Sequence, residues 1–359
     1  MKKLLFFVDK ISSSGASKII SWLANNIDIV DTEISLTTYL PMKDQRDIKD
    51  SVKRINLSIQ SENRIKRSII VIRKLREIFK KEKIDVCVAF LPMESMYAIF
   101  AAFGTKTRVV VCERSDPYFE RSTVVDIARR MFVLASGAVF QTEKAKEYFS
   151  QSLQRKSVVI HNPAFENKDI QYIPYRKRPM EISYSGRLYI KQKRQDILLH
   201  AFKKVVDDGY RVELLIYGDG IDGEKLQNLT RQLGITELVH FKGNINNVEV
   251  QISHSRMLVL SSDYEGIPNV IIEALQCGVP VVSTDCSPGG ARLLIEEGVN
   301  GFIVPREDYI ALAEKIEELL DDELRAESMS VAAVDITKRF SESSVLEKWR
   351  NYLEKLLNG

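Results

Sequence analysis

Short apolar runs rich in β-branched residues alternate along the chain with longer stretches in which apolar residues recur at helical spacing. This alternation is typical of a parallel sheet whose strands are connected by crossover helices. It occurs twice, on either side of residues 172–180, a segment that contains two prolines and shows little periodicity. The pattern therefore predicts two doubly wound α/β domains with a linker in this segment.

The predicted strands of the first half are 4–8, 34–38, 86–90, 108–112, 138–141 and 158–160. Those of the second half are 181–185, 211–217, 238–241, 257–261, 280–284 and 301–304. An apolar stripe at helical spacing predicts a final helix over 343–357. We predict an N-terminal domain over 1–170, a second domain over 171–337, and a C-terminal helix over 338–359 that packs on the first domain. Because open α/β sheets bind ligands outside the carboxyl ends of their strands, we expect the site in the cleft between the domains.

Composition agrees with this organisation, because 359 residues correspond to two domains at roughly 150 residues each. The chain is 45% hydrophobic and 28% charged, which excludes collagen-like and disordered classes. Four cysteines without a CxxC pair make a disulfide or zinc framework unexpected and favour the cytoplasm. The apolar run that follows Lys2 and Lys3 stops at Asp9 and predicts a first strand instead of a signal peptide. No run approaches the roughly 18 apolar residues of a membrane span, so any membrane contact should be peripheral.

The net charge of +3 combines two unlike halves. Up to Pro179 there are 32 Lys and Arg against 20 Asp and Glu, and after it 20 against 29. The basic excess is concentrated in residues 62–83, where nine cations face three acids on an amphipathic helical pattern. Such a helix can lie on anionic lipid, bind a lipid-linked diphosphate, or be an ordinary solvated helix. Nucleic-acid binding is disfavoured, because no interleaved aromatics or nucleic-acid motif accompany the cations.

The most informative motif contains two glutamates, Glu265 and Glu273, on either side of a predicted strand-to-helix turn. Gly266 allows close backbone approach to a ligand, and Pro268 suits the first turn of a helix. The N-terminus of such a helix can bind a phosphate, and a carboxylate at each end of the segment can bind hydroxyls. Taken alone, the two acids could equally be an ordinary loop acid and a solvated helix residue.

This segment resembles the EGxPxxxxE motif of retaining glycosyltransferases with the GT-B fold, family 4, also called glycosyl transferases group 1. The resemblance implies that Glu265 binds hydroxyls of the transferred sugar and supports charge at its anomeric carbon, while Glu273 binds the ribose. It also implies that the backbone of Ile267, Pro268 and Asn269 contacts the sugar or the diphosphate.

A second match follows the predicted strand 181–185, where Gly186, Arg187 and a lysine-rich loop resemble the GRL…K element of the same family. An Arg and a Lys directed at a diphosphate leaving group would stabilise its developing charge without a metal ion. We assign these roles to Arg187 and Lys193, with Lys191 also within reach. Gly218, after the strand 211–217, resembles the family's glycine turn beneath the nucleotide.

The first half departs further from the family pattern. The glycine-rich loop that usually follows the first strand reads Ser-Gly-Ala-Ser-Lys here, and we expect Gly15 and Ala16 to allow close approach of the acceptor. Where many members of the family carry a histidine, this chain has Glu113, Arg114 and Asp116, which are candidates for polar contacts with the acceptor or for an ordinary loop. No histidine receives a catalytic role.

The resemblance thus implies a metal-independent, retaining glycosyltransferase of GT-B fold, with two Rossmann-like domains facing each other across a cleft. It implies that the domain over 1–170 binds the acceptor and that the domain over 171–337 binds the nucleotide sugar. Its expected donor is a nucleotide sugar, most plausibly a UDP-sugar, which is a substrate, and no cofactor is expected. The expected acceptor is a saccharide on a polyprenyl diphosphate, in surface polysaccharide or glycan synthesis at the inner face of the cytoplasmic membrane. The alternatives are a nucleotide-sugar 2-epimerase of the same fold and a catalytically silent subunit of a partner transferase.

Overall fold

A computed structural model describes residues 1–12, 15–40, 48–167 and 170–358. Its contacts divide the chain into a first unit, Met1–Asn162 with Ser343–Gly359, and a second unit, Pro163–Glu342. These boundaries lie near the predicted ones at 170 and 337. Residues from Pro163 onward are grouped with the second unit, where the Ala164 N–H donates to the Phe340 carbonyl at 2.8 Å.

The first unit is built on a seven-stranded parallel sheet in the order β3-β2-β1-β4-β5-β6-β7. Its strands are β1 (Lys2–Val8), β2 (Thr32–Thr38), β3 (Lys53–Asn56), β4 (Val86–Phe90), β5 (Arg108–Cys112), β6 (Gly137–Phe140) and β7 (Ser157–Val159). Every residue of β4 is buried, as expected for a parallel strand that is covered on both faces. The strand order reverses between β1 and β4, which is where doubly wound sheets bind ligands.

Six helices connect these strands. They are α1 (Gly15–Asn26), α2 (Arg64–Glu82), α3 (Pro92–Ala102), α4 (Thr123–Met131), α5 (Glu143–Glu147) and α6 (Gln151–Gln154). The basic helix α2 begins after Asn63, whose side chain accepts a hydrogen bond from the Lys66 N–H at 3.0 Å. It buries only Val71, Leu75 and Phe79, a stripe at i, i+4 and i+8, so most of its surface faces solvent.

The second unit repeats the plan with six parallel strands in the order β10-β9-β8-β11-β12-β13. Its strands are β8 (Glu181–Ser185), β9 (Glu213–Tyr217), β10 (Val239–Gly243), β11 (Met257–Leu260), β12 (Val281–Thr284) and β13 (Gly301–Val304). Its helices are α7 (Ile190–Lys193), α8 (Gln195–Asp207), α9 (Gly223–Leu233), α10 (Val248–Ile252), α11 (Asn269–Gln276), α12 (Gly290–Leu294), α13 (Tyr309–Asp321), α14 (Glu323–Ala333) and α15 (Ile336–Arg339). Here the strand order reverses between β8 and β11.

The last helix, α16 (Glu342–Asn358), belongs to the first unit from Ser343 onward. Trp349 is buried and stacks on Phe90 with ring centroids 6.2 Å apart. The Tyr352 hydroxyl accepts from the Ala138 N–H at 2.9 Å and donates to the Lys156 carbonyl at 2.7 Å. These contacts confirm that the C-terminal helix packs on the first domain.

The sequence pattern located every strand except β3, which is a short polar edge strand with no buried residue. It pairs in parallel with β2, and this backbone pairing holds it in the sheet. No helix in the described part of the chain is both long enough and apolar enough to cross a bilayer.

Candidate active site

Two loops meet at the switch point of the second sheet. The strands β8 and β11 are neighbours there, and the next strand along the chain lies on the outer side of each, β9 beside β8 and β12 beside β11. The loop after β8 carries Gly186 and Arg187 and leads into the short helix α7, which ends at Lys193. The loop after β11 carries Glu265 and leads into α11. The two motifs, which are about 80 residues apart in sequence, therefore lie at one edge of the sheet.

An ion pair joins these loops. The Lys193 ammonium lies 2.5 Å from Glu265 Oε1, and the same carboxylate oxygen accepts a hydrogen bond from the Ser262 hydroxyl at 2.7 Å. The Lys193 and Glu265 side chains are 14% and 10% exposed, so the pair is shielded but not sealed from solvent. Lys191 is exposed. Among the lysines of the loop, the structure thus places Lys193 beside the motif glutamate.

The backbone around Glu265 is held by hydrogen bonds to two neighbouring segments. The Glu265 N–H donates to the Ser287 carbonyl at 2.8 Å, and the Ser287 N–H donates to the Asp263 carbonyl at 3.0 Å. On the other side, the Asp263 N–H donates to the Gln192 carbonyl at 2.9 Å, and the Gln192 amide donates to the Tyr264 carbonyl at 3.2 Å. The position of Glu265 is therefore fixed by both the α7 turn and the loop after β12.

Gly218 supports the loop that carries Arg187. Its φ of 127° is a conformation that side chains rarely adopt, and a Cβ here would clash with the Gly186 carbonyl oxygen. Below the loop, the buried Gln195 amide donates to the Arg187 carbonyl at 2.8 Å and to the Tyr184 hydroxyl at 2.9 Å. The Arg187 side chain itself is exposed, so its backbone is anchored while its guanidinium faces solvent.

The helix of the motif, α11, begins at Asn269, with Pro268 as its N-cap residue and not within its first turn. Ile267 is buried and Glu273 is half-buried on the second turn of the helix. Gly290, at the start of α12, packs directly on this segment, because a Cβ there would clash with the Gly266 carbonyl oxygen. The motif residues are thus one packed loop-and-helix unit that begins at the switch point.

Burial changes the acidity of two groups beside this ion pair. Desolvation raises the pKa of the Cys286 thiol to about 12, and the Glu265 charge acts in the same direction. Desolvation also raises the pKa of the buried Tyr184 phenol, again reinforced by Glu265. The Cys286 thiol and the Tyr184 phenol are therefore neutral at physiological pH.

In the first unit, two of the predicted acceptor-side residues have internal partners. Glu113 forms an ion pair with Arg129 at 2.7 Å, with both side chains at most 1% exposed. Asp116 is buried and accepts a hydrogen bond from the Tyr118 N–H at 2.7 Å. Desolvation raises the pKa of Glu113, and the Arg129 charge opposes this. A contact of Glu113 or Asp116 with an acceptor stays a prediction.

Arg114 occupies the position between them. It donates to the Asn162 side-chain oxygen and lies over the Phe90 ring, with its guanidinium carbon 5.4 Å from the ring centroid. Its Nε and Nη1 atoms are buried without a hydrogen-bond partner among the described residues, and burial lowers its pKa to about 10. Gly15 and Ala16 form the first turn of α1, while Ser14 of the predicted loop lies outside the described residues.

Sequence reasoning missed a polar cluster at the switch point of the first sheet. The Tyr39 hydroxyl donates to Glu94 Oε1 at 2.8 Å, in a buried contact between the end of β2 and the first turn of α3. Desolvation raises the pKa of Glu94 to about 7, and the nearby charge of Asp9, which follows β1, adds to this. The available signal was position alone, since Asp9 and Glu94 follow the two strands between which the order reverses.

Comparison with known proteins bears on this site directly. Residues 179–322 match the protein family described as Glycosyl transferases group 1, a match that contains both motifs. Over the full length of both chains, the protein is 26% identical to a Campylobacter jejuni enzyme named GalNAc-alpha-(1->4)-GalNAc-alpha-(1->3)-diNAcBac-PP-undecaprenol alpha-1,4-N-acetyl-D-galactosaminyltransferase.

Two solved structures share the fold. The lipopolysaccharide outer core galactosyltransferase WaaB in its apo form is 20% identical, with a TM-score of 0.76 over 99% of both chains. The Anabaena protein HepE in complex with UDP and glucose is 19% identical, with a TM-score of 0.80 over 99% of this chain and all of that one. The predicted fold class of two Rossmann-like α/β units, as in GT-B glycosyltransferases, is confirmed.

Proposed function

Since its second unit belongs to the family of glycosyl transferases group 1, we propose that this chain transfers a sugar from a UDP-sugar to a saccharide acceptor on a lipid carrier. The observation that carries the proposal is the Lys193–Glu265 ion pair at the switch point of the second sheet, where the two family motifs converge. The comparisons confirm the predicted class of glycosyltransferase and give no support to the epimerase or the silent subunit. UDP as the nucleotide is supported by the HepE complex with UDP and glucose.

Different residues of the second unit would bind the diphosphate, the sugar and the ribose of the donor. A diphosphate at this edge would take over the Lys193 ammonium as a partner and attract the exposed Arg187 guanidinium. Both cations would then stabilise the charge that develops on the diphosphate as its bond to the sugar breaks, which lowers the barrier to its departure. Glu265 would be released to accept hydrogen bonds from sugar hydroxyls, and Glu273 would accept them from the ribose.

We propose that the reaction retains the anomeric configuration, with the acceptor hydroxyl attacking on the face from which the diphosphate leaves. The diphosphate oxygen would accept the acceptor's proton, so no side chain is needed as a general base. The proposal is supported by the family motif, in which one glutamate serves the sugar and the other the ribose. NMR of the purified product tests it, because an inverted anomeric proton signal would refute retention.

We further propose that transfer needs no divalent metal. Arg187 and Lys193 supply positive charge where a metal clamp would otherwise act. In the described ranges, no three His, Cys, Asp or Glu side chains are grouped as metal ligands would be. Turnover that is unchanged in excess EDTA is the expected result, and a loss that Mg²⁺ or Mn²⁺ restores would refute it.

The acceptor is proposed to be lipid-linked, with the first unit facing an anionic membrane. The Campylobacter jejuni relative is named for an undecaprenol diphosphate-linked saccharide. On α2, exposed cations accompany Ile65 and Ile69, which are 74% and 62% exposed. Arg76 of α2 donates to the Phe103 carbonyl beyond α3, and the Phe103 ring is also exposed. A surface that combines cations with exposed large apolar side chains suits anionic lipid.

The main test incubates the purified chain with a panel of UDP-sugars and lipid-linked saccharides, and mass spectrometry identifies the product. Turnover that requires both substrates is expected, whereas consumption of the UDP-sugar without an acceptor would point to an epimerase. Flotation with vesicles containing anionic lipid tests the membrane contact separately. No flotation, and no effect of replacing the α2 cations and Phe103, would refute that part while leaving the donor assignment intact.

A further inference from the structure

Arg194, between α7 and α8, has a backbone conformation that is unusual for its residue type. Its φ and ψ are 46° and 45°, in the left-handed region that disfavours side chains with a Cβ and favours glycine. It directly follows Lys193, the lysine paired with Glu265. Non-glycine residues persist in this region when surrounding contacts hold them there, and such positions cluster at functional sites.

The contacts that hold Arg194 come from three segments of the second unit. Its guanidinium lies 3.2 Å from the carboxylate of Asp196 on α8, 3.1 Å from Asp263 in the loop after β11, and 3.0 Å from Glu307 in the loop after β13. The Arg194 and Asp263 side chains are only 19% and 16% exposed, so this pair is less screened than an ordinary surface pair, whereas Glu307 is 69% exposed. Asp263 lies two residues before Glu265 in the same loop.

We propose that Arg194 is a positioning residue that holds the Lys193 turn against the Glu265 loop and so keeps the diphosphate site assembled. This inference rests on the proposed function of Lys193 and Glu265 in donor binding. Lys193 and Arg194 are adjacent in sequence and form ion pairs with two acids of one loop, Glu265 and Asp263. The turn that contains Lys193 and Arg194 therefore contacts the loop after β11 at two residues, Asp263 and Glu265.

The position of the Asp263 carboxylate depends on the charge of Arg194. Burial raises the pKa of the Asp263 carboxyl, and the Arg194 charge opposes that rise. Without Arg194, the carboxylates of Asp196, Asp263 and Glu307 would lose the guanidinium they share, and the negative charge of Glu307 would still raise the pKa of Asp263. Asp263 would then move towards solvent, and the loop carrying Glu265 would lose its alignment with Lys193.

The test uses the full chain, with UDP as the probe and isothermal titration calorimetry as the measurement. Arg194→Gly accepts the left-handed backbone without strain and removes the whole side chain, including the guanidinium that contacts the three acids, and we expect about tenfold weaker UDP binding. Arg194→Lys keeps a charge within reach of one acid and should recover part of the affinity. The matched control is Asp31→Gly, which relaxes the same backbone conformation in the first unit and should leave UDP binding unchanged.

A double-mutant cycle separates positioning from general destabilisation. If Arg194 acts through Lys193, Arg194→Gly should weaken UDP binding by less than twofold in a Lys193→Ala background. Equal losses in both backgrounds would overturn the inference, as would unchanged binding by Arg194→Gly alone. If Arg194→Gly does not fold, Asp263→Asn and Arg194→Lys take its place in the same cycle. Absence of UDP binding by the unaltered chain would instead refute the proposed donor.

Discussion

In both units, acidic side chains lie at the point where the strand order reverses, next to an aromatic or a basic side chain. The two units differ in how far these charged groups are exposed to solvent. In the second unit, Lys193 and Glu265 remain partly accessible, and the Arg187 side chain is exposed. In the first unit, Glu94 is buried beneath Tyr39, and farther along the sheet Glu113 is buried against Arg129. The same topology thus supports a site whose charges can exchange partners for a ligand and a site whose charges are fixed inside the protein.

This difference teaches that position at a switch point does not by itself identify a binding residue. A charge that serves a ligand must be able to leave its internal partner at little cost, which partial exposure permits. A fully buried ion pair cannot be opened in this way, because a charge left without its partner is costly. Accessibility of the pair therefore separates the two units more clearly than residue type does.

The largest expected effect concerns the accessible pair. Glu265→Gln removes the charge that holds Lys193 in the free protein and a hydrogen-bond acceptor for the sugar. We expect turnover of a UDP-sugar to fall by about 100- to 1,000-fold with little change in thermal stability. Steady-state kinetics and a thermal unfolding scan measure the two effects. Glu314→Gln, at an exposed position of α13, is the control and should be fully active.

The buried pair of the first unit should respond in the opposite way. Glu113→Gln leaves the Arg129 guanidinium buried without its acid, which we expect to cost about 4 kcal/mol of unfolding free energy. Both tryptophans, Trp22 and Trp349, lie in the first unit, so urea unfolding followed by tryptophan fluorescence reports on this unit. UDP binding should be unchanged. Weakened UDP binding with unaltered stability would make Glu113 a ligand contact and remove the contrast.

Glu94 should make the free energy of unfolding of the first unit depend on pH. Its pKa is raised from 4.5 to about 7, so the folded protein holds a proton that the unfolded chain releases. The contribution of Glu94 to stability is complete below pH 4.5 and is lost as the pH rises through about 7. Glu94→Gln cannot lose a proton, so its stability relative to the unaltered chain should rise between pH 5 and 8, by at most ~3 kcal/mol.

Tryptophan fluorescence during urea unfolding at several pH values measures this slope. A difference between the two proteins that stays constant from pH 5 to 8 would show that Glu94 titrates normally. In that case burial would not control the charge of Glu94, and the pH-dependent difference between the two units would be lost.

The smallest effect is expected at a glycine. Gly218→Ala forces a strained φ and pushes a Cβ towards the Gly186 carbonyl, which should cost about 1–3 kcal/mol and weaken UDP binding about tenfold. Gly104→Ala, at a positive φ in the first unit, should lower stability to a similar extent without affecting UDP. Calorimetric titration with UDP distinguishes them, and equal weakening by both variants would show that the effect is not local to the site.

The architecture could be predicted from the sequence because apolar runs and helical stripes are local patterns. The motif residues Glu265, Glu273 and Arg187 could also be located from the sequence, since they lie in motifs of fixed spacing, and their roles in binding stay predictions. The motif alone favours Lys193 over Lys191, and the structure adds that Lys193 is paired with Glu265 while Lys191 is exposed. The Glu113–Arg129 and Tyr39–Glu94 contacts join residues far apart in sequence and have no local signal.

The sequence pattern did not predict the strand β3. Its residues are mostly exposed and polar, so no hydrophobic pattern marks it, and its place in the sheet depends on backbone pairing with β2. The side chains of β3 add polar contacts to this pairing, such as the ion pair of Lys53 with Glu82 at 2.7 Å.

The return of α16 to the first unit has a consequence for how the protein is made. Trp349 and Tyr352 complete the packing around Phe90 and Ala138, yet the whole of the second unit is synthesised between them. On the ribosome, the second unit can finish folding while the first still lacks its last helix. Contacts that span about 200 to 260 residues form slowly, because a long loop must close first. The unit that begins first is therefore the unit that is completed last.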